Sequence, residues 1–180
     1  MPQPLQPDQA KFLLNAVFLP GFEREHPTTC QVLAAVPTEK WDYRPDANSR
    51  SALDLAWHIA AAERRFLAAV ADGKFDFSPL NRPDWVKTSA DLSRWYAQEF
   101  QAVTARLKNL SGEQLCQVID FRGIFQQPAV LFLQLALHHS VHHRGQLSTY
   151  LRPMGGKVPA IYGESYDSAE ARKAAEAKSA

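Results

Sequence analysis

Apolar residues recur at intervals of three and four over four stretches of the chain, the pattern of helices that each bury one face. After an extended lead-in marked by Pro2, Pro4 and Pro7, the first stretch carries Phe12, Leu13, Ala16, Val17 and Phe18 and is predicted to break near Pro20-Gly21. It resumes from Phe22 to Val36, with Pro27 acceptable only at a kink or a new first turn, and Pro37 ends it. Residues 38–48 read as a loop, in which Pro45 discourages helix at Arg44. Ser49 or Ser51 caps the second helix, which carries Leu53, Leu55, Ile59, Phe66, Leu67 and Val70 and stops at Asp72-Gly73.

A loop with Pro79, Pro83 and Trp85 leads to a third helix, from Thr88 or Ser89 through Trp95, Tyr96, Phe100, Val103 and Leu107 to about Ser111-Gly112. Weak alternation over 117–127 predicts a short extended excursion containing Phe121 and Phe125. Pro128 suits the first turn of the fourth helix, which runs to about Arg152, ahead of Pro153 and Gly155-Gly156. An ordered loop, Val158 to Asp167, follows, and residues 168–180 are a solvated helix or a frayed end. The expected fold is all-α: an antiparallel four-helix bundle in one domain over 1–167, with a tail over 168–180.

Composition narrows the classes. A 180-residue chain with 46% apolar and 22% charged residues has enough apolar surface for a sizeable core, so disorder is not expected. A net charge of +1 without a Lys/Arg run supplies no footprint for nucleic acid. No uninterrupted apolar window suits a membrane span, and the first residues lack a secretory layout. Cys30 and Cys116 are expected to be reduced thiols, and the location cytoplasmic.

The candidate chemistry lies in the fourth helix, which holds four of the six histidines: His138, His139, His142 and His143. Residues four apart share a helix face, so the spacing offers two pairs. At about 100° per residue, His143 and His139 lie roughly 40° and 80° from the apolar resultant, and His142 and His138 roughly 140° and 180° away. The inward pair is therefore His139 and His143, while His138 and His142 are expected at the surface or an interface. His58, flanked by Ala61 and Ala62, is the only other histidine well inside a predicted helix. Three imidazoles would leave a fourth, open position on zinc, with nickel, iron or manganese as alternatives.

Known motifs of other classes are absent. Ser140 follows His139 where a zincin needs glutamate, and the one Glu-x-x-His unit, Glu23 to His26, is half of what a di-iron bundle needs. There is neither a nucleophile elbow nor a phosphate loop. No catalytic residue is assigned, but three positions are candidates for the pocket. Glu63 falls in the apolar arc and would either orient a ligand histidine or pair with Arg144 or Arg44. Gln146 would hydrogen-bond in the pocket or between helices, and Tyr162 would line the site mouth or anchor its loop. Gly145 in mid-helix is expected to permit a close helix approach, and the four tryptophans are expected in the core or an interface.

Three segments, Leu55 to Glu63 around His58, His139-Ser140-Val141-His142-His143-Arg144-Gly145-Gln146-Leu147, and Val158-Pro159-Ala160-Ile161-Tyr162-Gly163, resemble the DinB family, which is unrelated to the polymerase of that name. The resemblance spans the chain from the first helix to Asp167. It implies a four-helix bundle, a homodimer, and a divalent ion held by one histidine of the second helix and two of the fourth, here His58, His139 and His143. It also implies the chemistry of transferases and isomerases that use low-molecular-weight thiols such as bacillithiol or mycothiol. The expected function is thus a metal-dependent transferase or hydrolase acting on a small molecule. The rival is a non-catalytic stress-response or interaction protein stapled by its ion. Mild acid is expected to release the ion by protonating its ligands.

Overall fold

The computed structural model describes residues 4–179, so Pro2 of the expected lead-in and the last residue of the tail lie outside the described residues. Helix α1 (Pro7–Phe12) opens with a proline in its first turn and a reciprocal cap between Gln6 and Gln9. It passes through a π-helical turn, Leu13–Phe18, into α2 (Leu19–Ala34). The expected break at Pro20-Gly21 is therefore absent. In the wider turn the Leu19 amide donates five residues back to Leu14, and the register irregularity is absorbed just before Pro20, which has no amide to donate. Pro27 also lies inside α2 rather than at a new start.

Helix α3 (Ala52–Asp72) is capped by the Ser51 hydroxyl, which accepts from the Asp54 amide at 3.1 Å, and stops at Gly73, whose φ of 68° suits a residue without Cβ. Helix α4 (Ser89–Lys108) begins with a Thr88–Asp91 capping box. A short α5 (Gly112–Cys116) precedes the antiparallel hairpin β1 (Val118–Phe121) and β2 (Phe125–Pro128), with Phe121 opposite Phe125. Pro128 closes β2 instead of opening a helix. The amides of Ala129 and Val130 donate to the carbonyls of Gln117 and Leu115, and a turn through these two residues leads into α6 (Leu131–Leu151). The tail is helical, as α7 (Tyr166–Ser179), laced by pairs such as Lys173–Glu170 and anchored through Asp167 to Arg152 and the Val158 amide.

The bundle is a ring in which α3 packs on α6, α6 on α2, α2 on α4 and α4 on α3. Side-chain pairs give its directions. Trp57–Trp95, Arg64–Glu99 and Asp72–Arg106 advance together, so α3 and α4 run in the same sense. Phe22–Phe100 and Cys30–Ser93 run oppositely, making α2 and α4 antiparallel. The connection from Gly73 to Thr88 consequently returns along the bundle. It passes Phe75 against Phe66, Ser78 against Arg65, Leu80 against Trp57, and reaches Trp41 at Ser89. Trp85 lies outside the expected core, exposed beneath Arg94. Among the described residues no helix is long and apolar enough to cross a membrane.

The buried apolar residues form two groups at opposite ends of the bundle. One centres on Phe22, Phe66, Leu107 and Phe132, the other on Leu33, Leu55, Leu92 and Leu147. Between them lies a polar belt with a contribution from every main helix: Glu25, His26 and Thr29 of α2, His58 and Glu63 of α3, Tyr96 of α4, and His139, Ser140, His143 and Arg144 of α6. This belt is where the sequence departs from a simple apolar core, and a buried polar group needs a partner to be tolerated.

Gly145 corrects another expectation. A Cβ there would meet nothing within 4 Å, so no close helix approach compensates its flexibility. Among the glycines within the main helices the close approach is at Gly21, where an added Cβ would stand 3.3 Å from Leu137. Gly145→Ala is accordingly expected to stabilise the protein by about 0.5–1 kcal/mol, read as a higher melting temperature. A lower one would show that the exposed face at Gly145 needs the glycine.

Candidate metal centre

His58 from α3 and His139 and His143 from α6 converge where the two helices pack. Their ring centroids are 4.8, 4.7 and 4.4 Å apart, with interplanar angles of 63°, 85° and 67°, so the rings fan about a common point rather than stacking. Nε2 of His58 faces Nε2 of His139 at 3.0 Å, and one nitrogen from each of the three residues falls within a 4.8 Å span. A tetrahedral ion with bonds near 2.0–2.1 Å sets its donors about 3.3 Å apart. The three nitrogens therefore fit a divalent ion with small adjustments.

Hydrogen bonding supports the same orientation at one ligand. The Gln146 side-chain oxygen lies 3.0 Å from Nδ1 of His143 and accepts its proton, which leaves Nε2 with a free lone pair. Nδ1 of His139 is buried without a partner. Burial also keeps the rings neutral: it lowers His58 to about 3 and His139 to about 4, and lowers His143, with the positive charge of Arg50 acting in the same direction on all three. Neutral imidazole is the form that binds metal. His138 and His142 are exposed, as the helical wheel expected.

The other singled-out residues are placed differently. Glu63 does not orient a ligand imidazole. Its Oε1 accepts from the Tyr96 hydroxyl at 2.6 Å, and burial raises its pKa against the lowering effect of that bond and of the Arg144 charge. Neither suggested arginine pairs with it. Arg44 reaches Asp54, and Arg144 turns towards α2, where its Nη2 meets Glu25 at 2.6 Å. Tyr162 anchors its loop: its hydroxyl accepts from Arg144 at 2.9 Å and donates to Glu25 at 3.0 Å.

Sequence reasoning passed over the walls of the site. A cleft of about 190 Å³ opens beside His58 and His139, and Phe66, Phe75, Phe77 and Phe121 line it with Arg65 and Arg122. A wider hollow that adjoins it at His58, Arg65 and Phe77 is lined also by Arg50, Trp57 and Leu80. The visible signals were the Phe75-Asp76-Phe77 alternation and the Arg122-Gly123 turn, but both lie in connections whose path only the tertiary structure sets.

Comparison with known proteins agrees with this architecture. A family model described as the DinB family matches residues 1–177. The uncharacterized Bacillus subtilis protein YjoA is 30% identical over 131 residues, covering 71% of this chain and 82% of its own. A second uncharacterized protein of that organism, YrdA, is 30% identical over 148 residues, covering 81% and 86%. The crystal structure of the DinB-like YjoA superposes with a TM-score of 0.68 at 25% identity, covering 82% of this chain and 99% of that one. A DinB-like protein from Bacillus cereus ATCC 10987 gives 0.67 at 22% identity, covering 89% and 100%.

Proposed function

The chain belongs to the DinB family, and from that premise we propose that it is a metal-dependent transferase or hydrolase, with His58, His139 and His143 holding one divalent ion. The observation that carries the reading is the convergence of three imidazoles, one nitrogen from each within 4.8 Å of the others, beside an open cleft. Zinc suits three nitrogens with a vacant fourth position, and nickel, iron and manganese accept the same donors. When bound, such an ion supplies Lewis acidity that lowers the pKa of a thiol or water at its open position, which makes a low-molecular-weight thiol a fitting co-substrate. Gln146 fixes the ring of His143, and the aromatic rings beside His58 offer an apolar wall to the body of a substrate.

Natively purified protein is expected to carry about one divalent ion per chain by elemental analysis, and chelation should lower its melting temperature. The lowered proton affinities move acid release away from the mild range. A ligand competes with protons only below its own pKa, and burial lowers that of all three rings, so the ion should persist below pH 6.5 and leave only on stronger acidification. Metal-free protein whose melting temperature ignores both chelator and added zinc would end this reading. A bound ion with no metal-dependent turnover over thiol-linked and hydrolysable substrates would instead favour a structural staple.

A further inference from the structure

The phenylalanine cleft carries two properties that a helix bundle does not need for stability. It keeps aromatic rings partly open to solvent beside the three histidines, and it gathers cations without anions. Among the described residues, no carboxylate lies at ion-pair distance from Arg50, Arg65 or Arg122; Asp54, on the rim of the wider hollow, pairs with Arg44. Arg65 binds the Ser78 carbonyl at 2.8 Å and feels Asp76 only at longer range. The guanidinium of Arg122 stands 4.4 Å over the ring of Phe77.

Arg122 is also the only non-glycine among the described residues with positive φ, at 58°, beside Gly123 at 70°. Left-handed backbone strains a residue with a Cβ, and such strain concentrates where a side chain must be held for a purpose. Glycine would serve this turn better, yet the turn presents a guanidinium to the cleft.

We propose that the cleft receives an amphipathic oxyanion, a carboxylate or phosphate monoester carrying one aromatic ring or a short branched chain, with the apolar body among Phe66, Phe75, Phe77 and Phe121 and the charge met by Arg65 and Arg122. Size limits the body. An apolar cavity of about 150 Å³ holds one benzene, so about 190 Å³ takes one ring with a short linker and not two. The guanidinium fork matches carboxylate and phosphate oxygens equally. The proposal deepens the reading of this site as a small-molecule centre and rests on it for its catalytic meaning, while binding in the cleft is measurable with or without an ion.

The test is calorimetric titration of 3-phenylpropanoate and phenyl phosphate, with 3-phenylpropanamide and propanoate as controls. Each is run on the protein as purified and after chelation. At least one aromatic anion should bind saturably in both forms, about tenfold more tightly than the neutral amide or the ring-less acid. Arg122→Gly should weaken that anion about tenfold while leaving the melting temperature equal or higher, a combination that a purely structural arginine would not produce. Absence of saturable binding, or equal affinity for the amide, overturns the proposal. Equal affinity for propanoate shows that an apolar body adds nothing to binding and overturns the proposal. Absence of an ion with anion binding intact would remove the metal reading and leave the cleft standing.

Discussion

Arg144→Ala is expected to destabilise the protein by about 3–5 kcal/mol, the usual cost of removing one partner of a buried charge pair. The side chain is 1% exposed, among the largest fully buried ones in the molecule. Its guanidinium joins the Glu25 carboxylate at 2.6 Å, the Glu25 carbonyl at 3.1 Å, Thr29 at 3.2 Å and Tyr162 at 2.9 Å. Truncation strands a carboxylate that is mostly sheltered, opens a void between α2 and α6, and frees the loop that Tyr162 pins. At about 2–4 °C per kcal/mol for a domain of this size, the melting temperature should fall by about 10 °C. The double variant Arg144→Met with Glu25→Leu should recover much of the loss, because no charge is then left unpaired. A single variant within about 1 kcal/mol of the parent would show that the pair carries little.

His139→Ala should abolish metal-dependent stabilisation. At free zinc about a thousand times Kd, binding stabilises the folded state by about 4 kcal/mol, and a site reduced to His58 and His143 loses that affinity. Metal-free, the same substitution acts with a smaller and opposing balance. It removes a half-buried ring whose buried Nδ1 has no partner, and it removes the close Nε2 contact with His58. Melting curves with and without zinc should therefore converge in the variant and separate in the parent. His138→Ala and His142→Ala, on the exposed face of the same helix, should behave as the parent. Loss of the zinc response in either outer variant would move the centre to the other histidine pair.

Local rules account for much of the architecture. Ser51 and Thr88 begin helices because their hydroxyls satisfy first-turn amides, and Gly73 ends one because a left-handed residue is needed there. The failures occur where a local preference met a nonlocal partner. Pro20 and Pro128 read as punctuation, yet the first lies inside continuous helix and the second ends a strand held by the carbonyls of Gln117 and Leu115. Arg144 read as a neighbour for Glu63, but a long side chain chooses its partner from the helix it faces, and that helix is α2.

By itself the sequence determined the number of main helices and the inward face of α6 with His139 and His143 on it, because periodicity and side-chain direction are properties of one helix at a time. Only the tertiary structure decided that α3 and α4 run in the same sense, that the returning connection lays Phe75 and Phe77 beside His58, and that Arg122 reaches the same cleft from a hairpin turn. The physical reason is separation along the chain: these meetings join residues tens of positions apart, and no local pattern records which distant surface a segment will cover.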